Sequence, residues 1–182
     1  MRGSIIGAGL ALGGAGQLPG RRRAAPLRAA GLHRRQGKSV SGETNLEMLL
    51  AAMSPRLTEG EYVFCTFANA GYGDFAELEP VAAASEDEGL TLVLPKSKAD
   101  AKGLNYESVF RRISLSVHSS LDAVGLTAAF STRLAERGIS ANVIAGYYHD
   151  HIFVQHEHAQ AAVEALENLA RQTRQKNKRG GR

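Results

Sequence analysis

A switch of hydrophobic period that recurs along residues 112–171 limits the fold more than any other feature. Ile113, Leu115 and Val117 alternate with Ser114 and Ser116, the period of two expected of a half-buried strand. Leu126, Ala129, Phe130 and Leu134 then follow a helical spacing that starts after Ser119 or Ser120 and ends at Gly138. Two strand-like runs, Ala141 to Tyr147 and Ile152 to Gln155, are joined at Tyr148-His149-Asp150-His151. A last helix, His158 to Arg171, places Ala162, Val163, Leu166 and Leu169 on one face. The order β-α-β-β-α is one strand short of a ferredoxin-like βαββαβ unit.

The preceding residues offer a second, offset version of the same parts. Leu46, Leu49, Leu50 and Met53 mark an amphipathic helix that stops before Pro55. Tyr62 to Phe67 reads as a strand, and Gly71 to Asp74 as a loop. Val81 to Ala84 and Leu90 to Leu94 form a hairpin around Glu86-Asp87-Glu88-Gly89, and Lys96 to Gly103 is a short helix. The expectation is an α+β fold of two ferredoxin-like units, residues 43–106 and 107–170, with mostly antiparallel sheets and helices on one face. Joining the halves in one sheet would cover edges that each alone leaves open. With no Trp and only 6% aromatics, the core must be largely aliphatic.

Charge separates the body from the ends. Residues 1–40 hold eight basic residues and no acid, and residues 171–182 hold six and no acid, leaving eight basic residues against all 18 acids between them. An acidic body with basic ends is not the footprint of a folded nucleic-acid-binding face, so no specific nucleic-acid partner is expected. Residues 1–41 read as a disordered leader and 171–182 as a disordered basic tail. The apolar run Ile5 to Leu12 is too short to span a membrane. Cys65 is the only cysteine and lies in the apolar run Tyr62 to Phe67, so a buried thiol in a reducing cytoplasm is expected.

Several strings carry a family resemblance. Leu121-Asp122-Ala123-Val124-Gly125-Leu126 resembles the first strand-to-helix turn of ACT domains, the small amino-acid-binding modules of regulated metabolic enzymes. Gly138-Ile139-Ser140-Ala141-Asn142-Val143 resembles the next joint of the same family. Glu88 to Leu94, His118 to Thr127 and Asn142 to Val154 resemble stand-alone bacterial double-ACT proteins with a CASTOR-type half. The resemblance spans about residues 43 to 170. It implies a regulatory, non-catalytic module that binds a small molecule, most simply an amino acid, and forms a homodimer. Ala84-Ser85 departs from the pattern, which has an aromatic and an arginine before Glu86.

The candidate ligand site is the turn Ser119, Ser120, Asp122, Gly125 and Leu126, with Asn142 and Ile144 expected across the sheet from it. A helix N-terminus suits a carboxylate, and Asp122 an amino group. The plainer reading makes Ser120 and Asp122 helix caps, with Gly125 permitting close packing. An alternative function is a metal site or metal-dependent enzyme centred on His149, Asp150 and His151, although an extended backbone would turn Asp150 away from the two imidazoles. A third reading is an adaptor that holds anionic partners through its basic ends. No cofactor and no metal is expected on the leading reading.

Overall fold

The computed structural model describes residues 43–117 and 122–180. The leader reading for residues 1–41, and Ser119 and Ser120, lie outside them. In chain order the elements are α1 (Leu46–Ala52), β1 (Pro55–Leu57), β2 (Tyr62–Phe67), β3 (Ala82–Glu86), β4 (Gly89–Pro95), α2 (Lys96–Ala101), β5 (Phe110–Leu115), α3 (Leu126–Ala135), β6 (Asn142–Ala145), β7 (Asp150–Gln155) and α4 (Ala159–Gly180). The strands form one antiparallel sheet in the order β3-β4-β2-β5-β7-β6, and β1 also pairs with β5. The two halves are thus fused through β2 and β5.

Local chemistry explains most of the boundaries. The Asn45 side chain accepts from the Met48 N–H (3.0 Å) and starts α1. Gly89 closes the β3–β4 hairpin at φ +145, where an added Cβ would lie 2.4 Å from the Phe67 carbonyl oxygen, so only glycine fits. Gly138, at φ +67, ends the third helix, and the Ile139 N–H reaches back to the Leu134 carbonyl (3.0 Å).

Alternation within the strands sorts the side chains into two faces. Ile113 and Leu115 of β5 and Ile152 and Val154 of β7 pack beneath α1, α3 and α4, together with Leu49, Phe130, Leu134 and Leu166. Val63, Cys65, Leu92 and Leu94 pack beneath α2. All four helices therefore cover one face, as the fold class requires. Tyr62, Phe64, Val93, Phe110 and Phe153 occupy the other. Phe153 is only 1% exposed although no helix among the described residues packs on this face. Its ring meets Tyr62 (5.6 Å, edge-on) and Phe64 (5.8 Å) across β5, so this is the aromatic face of the sheet.

Three local expectations are corrected. Leu57 pairs with Ile113, so residues after Pro55 supply a short strand that the sequence pattern did not reveal. The third helix begins at Leu126 with Gly125 as its N-cap, later than Ser119 or Ser120, and Asp122 therefore precedes its first turn. The basic tail is not a coil: the last helix continues to Gly180. There Arg174 donates to the Ala51 carbonyl (2.7 Å), satisfying the C-terminal end of α1, and Lys176 pairs with Glu47 (2.9 Å).

Phe153 ties β7 to β2 over the intervening strand, so Phe153→Ala should cost about 3–5 kcal/mol in urea unfolding. Phe153→Leu, which keeps most of the volume, should cost clearly less. Equal and small losses would mean the aromatic face is not a packed cluster.

Candidate functional site

The aromatic face opens into a groove where the two halves part. β2 is paired with β4 along its whole length, from Tyr62↔Pro95 to Phe67↔Leu90. On its other edge it meets β5 only at Tyr62↔Phe110. Pro95 has no N–H, so Tyr62↔Pro95 is a non-hydrogen-bonded position. Alternation then sends the N–H and C=O of Val63, Cys65 and Phe67 toward β4 and those of Phe64 and Thr66 toward the groove. Beyond Phe110 the chain swings away, leaving a cavity of about 640 Å³. One wall is Phe64, Cys65, Thr66 and Thr91; the other is residues 105–108, Phe110 and Asn142.

The groove combines an apolar floor with a polar rim. Phe64 and Phe110 meet edge-to-face at 5.2 Å. Thr66, Asn105, Ser108 and Asn142 supply hydrogen-bonding side chains along the rim. Asn142 Nδ2 donates to the Phe153 carbonyl at the long distance of 3.4 Å. Cys65 donates to the Asn105 carbonyl (3.7 Å), and burial raises its pKa, which keeps the thiol protonated.

The residues singled out from sequence do not converge in this way. The expectation that Asn142 and Ile144 lie beside the strand preceding the turn fails, because β6 pairs with β7 and not with β5. Both edges of β5 are already occupied, by β7 on one side and by β1 and β2 on the other. In register, Asn142 is level with Arg112, whereas Ala145 is level with Leu115 at the end of β5. That puts Asn142 about 10 Å along and about 10 Å across from the strand end that leads to the turn. Asp122 is exposed. Gly125 adopts φ +100, and an added Cβ would sit 3.0 Å from Leu46 Cδ2, so its place in the fold is a close packing contact. Leu126 is buried among the helices, and Ile144 packs with the Phe153 cluster. Among the described residues of the set, Asn142 is the one that lines the groove. The register of β2 and β4 is the signal that would have found the rest.

Asp150 and His151 are turned to opposite faces of the sheet. Asp150 pairs with Leu115 and shares its helix-covered face, whereas His151 pairs with Ser114 on the aromatic face. Among the described residues no group of three His, Cys, Asp or Glu side chains is placed to hold a metal ion. His151 instead lies 2.9 Å from the Ser114 hydroxyl, which donates to Nδ1 when the ring proton is on Nε2. Among the described residues no carboxylate is shown orienting this pair, Asp150 lying on the other face of the sheet, and Ser114 is only 5% exposed. Burial first, then the charges of Arg112 and His149, hold the His151 pKa below its ordinary value. Burial holds the Asp150 carboxyl above its own, against a smaller opposing effect of His149.

These shifts have a definite sign. The unfolded chain takes up a proton at His151 near pH 6.5 while the fold resists it, so stability falls as pH drops below that point. His151→Gln should flatten the decline between pH 7 and 5.5 in thermal melts. An undiminished slope would show that His151 is not a source of it.

Two ACT-domain family models match the chain, one over residues 41–111 and the other over residues 107–168. A protein of unknown function from Vibrio cholerae, described as a possible transport protein, is 59% identical with a TM-score of 0.63, over 69% of this chain and 95% of its own. A protein from Agobacterium tumefaciens is 14% identical with a TM-score of 0.52, over 65% of this chain and 89% of its own, a likeness of fold alone. No curated protein matches the chain.

Proposed function

The chain belongs to the ACT-domain family, and on that premise we propose that it is a regulatory module without catalysis of its own, which binds an amino acid in the groove between its halves. ACT domains are small-molecule-binding regulatory modules. The observation that carries the amino-acid reading is the edge of β2 that, among the described residues, is paired only at Tyr62. An extended backbone edge offers C=O and N–H groups in alternation, which suit an α-ammonium and an α-carboxylate on one small molecule. Asn142 at the rim adds a carboxamide able to donate and accept, and Phe64 with Phe110 gives an apolar side chain a surface.

Regulation follows from how lightly the halves are joined at this point. β2 and β5 share one strand bridge, so a ligand touching both walls favours the arrangement in which they stand at the right separation. Its effect is limited to the difference in its affinity for the two arrangements. A lone buried thiol suits a reducing cytoplasm, and no helix among the described residues is long and apolar enough to cross a membrane.

We assign the homodimer contact to β6. This edge strand, Asn142-Val143-Ile144-Ala145, carries no charge and no proline, and exposed Tyr147 and Tyr148 follow it. The opposite edge, β3, ends at Glu86 and runs into Asp87-Glu88, so two copies would repel there.

The first test is thermal melting of the full chain with each of the twenty amino acids at millimolar concentration. A ligand at a hundred times its Kd adds about 2.7 kcal/mol, which in a domain of this size raises Tm by roughly 5–10 °C. No shift with any of them would remove the amino-acid reading. For the dimer, the Gly146 N–H donates inward to His149, so alternation points the Ala145 N–H outward. Ala145→Pro should then turn a dimer into a folded monomer by light scattering; a dimer that persists would place the contact elsewhere.

A further inference from the structure

Resting on the reading that the groove takes an amino acid, we propose that it selects one with a cationic side chain. Among the described residues that line the cavity, Glu107 alone is formally charged, and none is Lys or Arg. Its neighbourhood is acidic as well. Thr91, on the opposite wall, is hydrogen-bonded to Glu86. From Glu59 to Glu88 the chain holds eight Asp and Glu residues and no Lys, Arg or His.

Two basic groups of the neighbouring elements are committed to other partners. Lys96 is bound to Asp100 (2.8 Å), and Asp100 also accepts from the Tyr106 hydroxyl (2.7 Å). Arg112, two residues past Phe110 on the same face, lies over the Tyr62 ring (4.9 Å) and donates from Nε to Thr58 Oγ1 (3.1 Å). The cavity thus presents an uncompensated carboxylate beside an aromatic pair. An ammonium or guanidinium carried on an aliphatic stem satisfies both surfaces: the stem lies on Phe64 and Phe110, and the charge meets Glu107 and the ring faces. An acidic side chain would meet Glu107 unscreened by any lining cation. A neutral one would leave the carboxylate to water alone.

The α-ammonium and α-carboxylate are common to every amino acid, so only the side chain distinguishes this proposal from the reading beneath it. Titration calorimetry of the full chain with L-lysine, L-norleucine and L-glutamate separates the two. Norleucine has lysine's stem without the terminal charge. Lysine should bind at least about tenfold tighter than norleucine, the equivalent of about 1.4 kcal/mol. Glutamate should bind weakest. In Glu107→Gln the lysine affinity should fall about tenfold while norleucine binding stays the same. Equal or better binding of norleucine or glutamate, or an unchanged lysine affinity in Glu107→Gln, overturns the charge preference and leaves the amino-acid reading intact. If none of the twenty amino acids binds, the groove reading itself falls, and this inference with it.

Discussion

One strand bridge, Tyr62 to Phe110, is the constraint on which the rest of the molecule depends. It makes a single sheet out of two half-domains, each of which would otherwise expose an inner edge. Because the bridge is short, it needs reinforcement from outside the ladder. The rings of Tyr62, Phe64, Phe110 and Phe153 supply it by meeting over β5 on the face that no helix of the described residues covers. The same arrangement creates the groove. A longer β2–β5 ladder would have sealed the edge of β2, and a weaker aromatic cluster would leave β2 tied to β5 by the bridge alone, with α1 and β1 still packed on the second half. The groove and the union of the sheet are therefore two consequences of one register.

The period of the apolar residues made much of this fold legible. Ile113, Leu115 and their serine neighbours announced β5, and Leu90 to Leu94 with the acidic turn before it announced the β3–β4 hairpin. These are patterns local to one element, and local patterns survive folding where the core face is unambiguous. Pro55 to Leu57 escaped notice because three residues are too few to show a period. The basic end of α4 was read as coil because its charges lack a hydrophobic stripe. Its helix is held instead by Arg174 on an α1 carbonyl and Lys176 on Glu47, partners more than 120 residues away in sequence. Gly125 looked like a ligand-admitting glycine and serves to let Leu46 approach; the same absence of Cβ permits both, and only the neighbour decides.

The candidate site was less accessible than the fold for a physical reason. Its chemistry is carried by the main chain of Phe64 and Thr66, and a backbone N–H has no sequence signature. What makes those groups available is a pairing that stops after one residue, a property of two strands 48 residues apart in sequence. Asn142 was singled out, yet for a neighbour it does not have, since β7 stands between β6 and β5. Residue type identified a useful side chain, and topology decided what it is useful for.

Amide hydrogen exchange along β2 tests this picture most directly. Val63, Cys65 and Phe67 should exchange slowly because they bond β4. Phe64 and Thr66 should exchange fast in the free protein and slow down when a stabilising amino acid is added. Protection of Phe64 and Thr66 equal to that of their neighbours in the free protein would contradict it, because the edge would then be paired already and no groove would remain to fill.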